Sequence, residues 1–155
     1  MKHGIVWALV ALLGGALLGG AAGATVVEPL TVAERAARSD AVVHGRVVAV
    51  ESGWHEDRAV IYTVATVEVV AVLAGAAQAG ERLAVRRIGG RVGAVEQVVA
   101  GNAVLDVGDE AVLFLKQHGE FHAVVGMAEG VVPVGEGTVA RLRPVIEEAV
   151  SRPSP

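Results

Sequence analysis

Few side chains in this sequence are equipped for chemistry, and their spacing limits what they can do. Beyond the first 24 residues the histidines are His44, His55, His118 and His122, the serines are Ser39, Ser52, Ser151 and Ser154, and no cysteine occurs anywhere. A hydrolytic triad needs a nucleophile, a base and an orienting acid that converge. Ser39-Asp40 with His44 is the nearest grouping, and a helix stop followed by a strand accounts for it. Metal binding needs three or four convergent ligands. His118 and His122 are four apart, but Gly119 reads as a hairpin turn between them. With His118-Gly119 as that turn, His122 would face Leu115 across the ladder. His55-Glu56-Asp57 lacks the ligand spacing of a calcium loop and reads as a solvated turn. No catalytic or metal-binding residue is therefore assigned, no cofactor is implied, and the chain is read as a non-enzyme.

Two loops remain as contact regions. Gly89-Gly90-Arg91-Val92-Gly93 lacks the Lys-Ser/Thr ending of a phosphate-binding loop and the glycine spacing of a dinucleotide fingerprint, so it reads as a tight glycine turn. Its neighbours Arg82, Arg86 and Arg87 join Arg91 in a basic cluster, although Arg86 and Arg87 point to opposite faces if they share a strand. In the polar stretch Gly53–Arg58, Trp54 stands beside His55, Glu56 and Asp57. A tryptophan in such a loop either folds over an open end of the core or anchors an interface. Trp54, His55, Glu56, Asp57 and Arg91 form the candidate binding set.

These loops need a scaffold. Thr31-Val-Ala-Glu34 has the spacing of a capping box and predicts a short helix ending near Ser39-Asp40. Val-rich strands follow over Ala41–Ser52, with Gly45 at a point where a bend is cheap, then Val60–Leu73 and Glu81–Ile88. Val95–Val99 fits strand or short helix. Ala111–Lys116 pairs with Phe121–Gly126, and Val131–Val134 adds a last strand. Pro144 suits a first helical turn ahead of Glu147 and Glu148, so a short C-terminal helix is expected within residues 137–155, with a loose tail from Ser151. The class is mainly β: a small, closed or partly open barrel of five to six antiparallel strands, OB-like, with short terminal helices. In Val60–Leu73, Ile61, Thr63, Ala65, Val67 and Val69 form one face. The other face carries Tyr62, Val64, Thr66, Val70 and Val72 with Glu68 as its lone charge, too apolar for a face open to water. Either the terminal helices cover it or a partner does.

The N-terminus has the parts of a secretion signal. Lys2 is basic, Ile5–Leu18 is apolar, and Ala22-Gly23-Ala24 supplies small residues for cleavage before Thr25. The rival is a retained anchor, since no charge falls between Gly4 and Val27. Cleavage is the expected outcome. It gives residues 25–136 as the barrel domain, a periplasmic or secreted location and no stable membrane span. The full chain carries 13 Lys+Arg against 17 Asp+Glu, a net −4. That acidic balance, with Trp54, Tyr62, Phe114 and Phe121 the only aromatics past the leader, argues against nucleic acid as a partner. It favours another envelope or secreted protein.

The runs Thr31–Ser52, Thr66–Gly75 and Val107–Gly126 resemble exported bacterial domains with OB-like barrels. Those domains are similar in turn to the inhibitory domain of tissue inhibitors of metalloproteinases and to netrin-like modules. The resemblance spans Leu30–Val134 and rests on hydrophobic spacing and glycines. It implies regulation of an exported metalloprotease as an alternative function. Such inhibitors chelate the protease zinc through an N-terminal cysteine, whereas Thr25 is the expected first residue here. Any regulation would have to be independent of cysteine.

Overall fold

Thr31 opens the first helix as its sequence predicts. In the computed structural model, which describes residues 28–152, the Thr31 hydroxyl accepts from the Glu34 amide at 3.2 Å and Glu34 Oε2 accepts from the Thr31 amide at 2.8 Å. These bonds satisfy donors that a helix start leaves free. Helix α1 spans Val32–Arg38. The expected leader, the cleavage site and the end of the tail lie outside the described residues; among the described residues no helix is long and apolar enough to cross a membrane.

Strand β1 (Ala41–Trp54) pairs along its whole length with β2 (Ile61–Gly75), and β2 pairs with β3 (Arg82–Ile88). The first half of β1 also pairs with β6 (Glu110–His118), from Ala41↔Leu115 to Arg46↔Glu110. Strand β7 (Phe121–Val124) runs antiparallel to β6 and touches β3 in parallel through the single register pair Val85↔His122. The hydrogen-bonded order β1-β2-β3-β7-β6 thus returns to β1 as a ring. Strand β8 (Val131–Pro133), reached through a 3₁₀ turn at Met127–Gly130, adds to β6 outside that ring. The fold is a mainly β, partly open barrel with two short helices.

One strand can serve two neighbours because it bends. The β1–β2 register shifts at Val42/Val43, His44/Gly45 and Val47/Ala49. At Gly45 a Cβ would collide with Val67 Cγ1 and stand 3.3 Å from Leu113 Cδ1, both in the barrel core. Only glycine lets β1 approach β2 and β6 this closely.

Two cores follow from the two faces. Val43, Val47, Ala65, Val67, Leu83, Val85, Leu113 and Leu115 fill the barrel, and Leu105 plugs it from the connection ahead of β6. Outside, α1 and helix α2 (Thr138–Ser151) cover Val42, Leu73, Val112 and Phe114, with Leu142 and Ile146 as the α2 contribution. The helices therefore shield the end of β2 and not its middle. Val64 and Thr66 are half-buried, and Val70 is 44% exposed.

Local expectations needed four corrections. Trp54 belongs to β1, because its pairing with Ile61 continues the ladder beyond Ser52. Residues Gly90–Val92 are a strand, β4, paired with β5 (Val95–Gln97), so the glycine run is one arm of a hairpin. The β6–β7 turn is Gly119-Glu120, with Gly119 at φ +62°, which places His122 opposite Gln117 rather than Leu115. Pro144 lies inside α2, whose start at Thr138 precedes it by six residues.

Carboxylates tie the shared strand down. Glu110 binds Arg46, whose Nε donates at 2.8 Å, and Asp40 accepts from the Gln117 amide at 2.8 Å and from Lys116 Nζ at 3.1 Å. The Arg46 hydrogen bond, with help from His44, lowers the Glu110 pKa below its ordinary 4.5, and the Gln117 amide followed by Lys116 lowers Asp40 below 3.8. On acidification the unfolded chain takes up these protons first. The stability they provide is complete above their ordinary pKa values and is lost as pH falls through the lower folded ones. Melting temperature should therefore decline below about pH 4.5, less steeply in Glu110→Gln. Gly45→Ala should destabilise the fold by about 1–3 kcal/mol in urea titration, the range for forcing extra atoms into a packed core. An unchanged midpoint would remove the steric account of the bend.

Candidate functional site

The connection after β1 is ordered by its own backbone and side chains. The His55 amide donates to Val60 O at 2.7 Å and the Arg58 amide to His55 O at 2.8 Å. Asp57 accepts from the Ala59 amide at 3.0 Å and stands 3.1 Å from His55 Nδ1. The Ala59 amide, and then His55, hold the Asp57 carboxyl below its usual range. Glu56 is exposed, and Trp54 is 39% exposed at the strand end.

The glycine hairpin docks beside this connection. Gln97 Oε1 accepts from the Ile61 amide at 2.7 Å, opposite Trp54 in the ladder. Thr63 Oγ1 donates to Gly89 O at 2.6 Å, so the Ser52 hydroxyl, 2.8 Å away, donates in turn to Thr63. At Gly90, φ is +137° and a Cβ would strike both hydroxyls. The backbone of β4 thus lies directly on the Ser52–Thr63 pair, which explains the glycines without any phosphate. Both predicted loops meet at one end of the barrel. Their predicted cation is already engaged, since Arg91 donates to Glu96 Oε2 at 2.8 Å.

The free positive charge lies next door. Within the basic cluster, Arg82 pairs with Glu68 at 3.7 Å and Arg91 with Glu96. Among the described residues, Arg86 and Arg87 enter no ion pair. Arg86 faces outward from β3, where its guanidinium lies 4.9 Å over the Tyr62 ring and 4.4 Å over the Phe121 ring. His55 continues the row, meeting Tyr62 edge-on at 5.5 Å. A groove of about 220 Å³ runs along this outer side, bounded by Tyr62, Arg86, Phe121, His118 and Ala123. It follows the seam where β3 and β7 share one register pair.

Residue types alone did not single out Tyr62, Arg86 or Phe121. The available signal was their periodicity. Tyr62 and Arg86 lie on outward positions of neighbouring strands, and the turn at Gly119 brings Phe121 back beside them. The Ser39, Asp40 and His44 grouping disperses: Ser39 Oγ donates to Arg35 O at 2.7 Å, Asp40 holds β6, and His44 Nε2 lies 3.5 Å from Glu110 Oε2. His118 pairs with Phe121 and His122 with Gln117, so the two histidines do not face each other. Comparison with protein-family models and with curated proteins finds no match for this chain.

Trp54 sits at the last rung of a ladder that Gln97 also secures. Trp54→Ala should cost no more than about 1 kcal/mol in chemical denaturation, as for a surface substitution away from a packed core. A loss of several kcal/mol would make the ring part of the core.

Proposed function

We propose that this chain is an exported, non-enzymatic binding module that docks on another envelope or secreted protein through the Tyr62–Arg86–Phe121 groove. Export is inferred from Lys2, the apolar run Ile5–Leu18 and the small residues Ala22-Gly23-Ala24. The observation that carries the binding role is a guanidinium that lies over two aromatic rings with no carboxylate of its own among the described residues. Cation–π attraction to the two rings restricts its rotamers, while its N–H groups keep their planar fork for a partner. Such a fork matches a carboxylate, which it can hold by two parallel hydrogen bonds. Ile88, 45% exposed at the same end of β3, offers an apolar contact beside it. The favoured partner segment therefore bears an acidic side chain next to an apolar one. Because the whole chain is acidic, this local positive groove sets the orientation of an acidic partner more than its overall attraction.

A displayed library of random short peptides tests this reading. Selection on the wild-type chain should enrich acidic–apolar segments. Binding should fall at least about tenfold with Arg86→Glu or Phe121→Ala, the scale for a charge-assisted hydrogen bond. Arg143→Glu, on the outlying helix α2, should leave it intact. Recovery of the same peptides by Arg86→Glu would refute the groove.

A further inference from the structure

The same seam opens inward. Between β2, β3 and β7 lies a second cavity of about 210 Å³, which shares Arg86, Arg87, Ile88 and Ala123 with the outer groove but is walled further in by barrel core: Ala65, Val85, Leu105 and Val124, with Met127 at the mouth. It exceeds the roughly 150 Å³ of an engineered apolar cavity that takes up benzene. The space is maintained from several sides. Asn102 Nδ2 donates to Ile88 O at 2.6 Å, and the Ala128 amide donates to Gly101 O at 2.9 Å. These bonds hold the connection ahead of β6 across the barrel end while leaving room beneath it.

Two arginines border this largely apolar space, and only Arg86 lies over aromatic rings. Arg87 alternates with Arg86 along β3 and is register-paired with Thr63 on the interior face. It borders this cavity, is half-buried, and meets no carboxylate among the described residues. The nearby interior hydroxyl of Thr63, which donates to Gly89 O, is uncharged and cannot act as a counter-ion. A half-buried cation without a counter-ion favours an anion brought from outside. The mouth is rimmed by Ile88 and Met127, 45% and 47% exposed, which suits passage of a hydrocarbon.

We infer that the barrel interior binds a small amphiphilic monocarboxylate, its hydrocarbon tail among Ala65, Val85, Leu105 and Val124 and its carboxylate on Arg87. This site adjoins the outer groove, with Arg86, Arg87, Ile88 and Ala123 bordering both, but its anion contact differs. It uses the inward arginine of the pair, and neither Arg86 nor Phe121 supplies its anion contact.

Octanoate and octanol are the probes, titrated into the purified chain below their aggregation limits. Binding is read from the methyl resonances of Val85 and Leu105 and from calorimetry. Octanoate should bind one to one and shift both methyls. Arg87→Gln should weaken octanoate about tenfold, as expected for loss of a charge-assisted contact, and change octanol less than about twofold. Ala65→Leu should reduce both ligands by occupying the tail space. If Ala65→Leu does not fold, the Arg87→Gln comparison still decides. Phe121→Ala, which disables the outer groove, should leave octanoate affinity unchanged. Absence of methyl shifts at millimolar octanoate, or equal octanoate affinity in Arg87→Gln and wild type, overturns the inference.

Discussion

The architecture depends on the close approach of three strands at Gly45. A side chain there would occupy space filled by Val67 and Leu113, so β1 would be pushed away from β2, β6 or both. Without it, β1 bends through successive register shifts and pairs on one edge with all of β2 and on the other with the first half of β6. That double pairing turns a meander into a ring. It also sends Val43 and Val47 inward while Val42 turns outward to the helices, so the same bend organises both cores.

Closing the ring through β1 leaves the opposite side weakest. Strands β3 and β7 run parallel and share one register pair, and the loss of ladder bonds there exposes both sides of the sheet to ligands. Alternation along β3 then distributes charge across the seam. Arg82 and Arg91 are neutralised by Glu68 and Glu96, whereas Arg86 is presented outside on aromatic rings and Arg87 inside at the mouth of the core. Two adjacent arginines thus face two chemically different surroundings, one aromatic and one bordering the barrel core.

Much of this is local enough to be legible in the sequence. The Thr31–Glu34 capping box, the Val-rich strands, the bend at Gly45 and the barrel class follow from spacing and residue type. What escaped was set at longer range. Tertiary packing of Leu142 and Ile146 carries α2 through Pro144, a residue that on its own reads as a helix start. Satisfaction of the Ser52–Thr63 hydroxyl pair draws Gly89-Gly90 into a hairpin instead of a loop. The positive φ of Gly119 moved the β6–β7 register by two residues. For the site, sequence named Trp54, His55, Glu56, Asp57 and Arg91; the pairing of Arg91 with Glu96 is visible only once the hairpin is formed. The opposite directions of Arg86 and Arg87 follow from strand alternation, and the ring sets one toward aromatic rings and the other toward the barrel interior.

Cross-strand nuclear Overhauser contacts from Gly45 test the bent, doubly paired strand most directly. The account predicts that the backbone protons of Gly45, amide and α together, report both Val69 on β2 and Ala111 on β6 within the same folded chain. Contacts to Val69 alone, with the β6 set missing, would mean that the ring is not closed through β1.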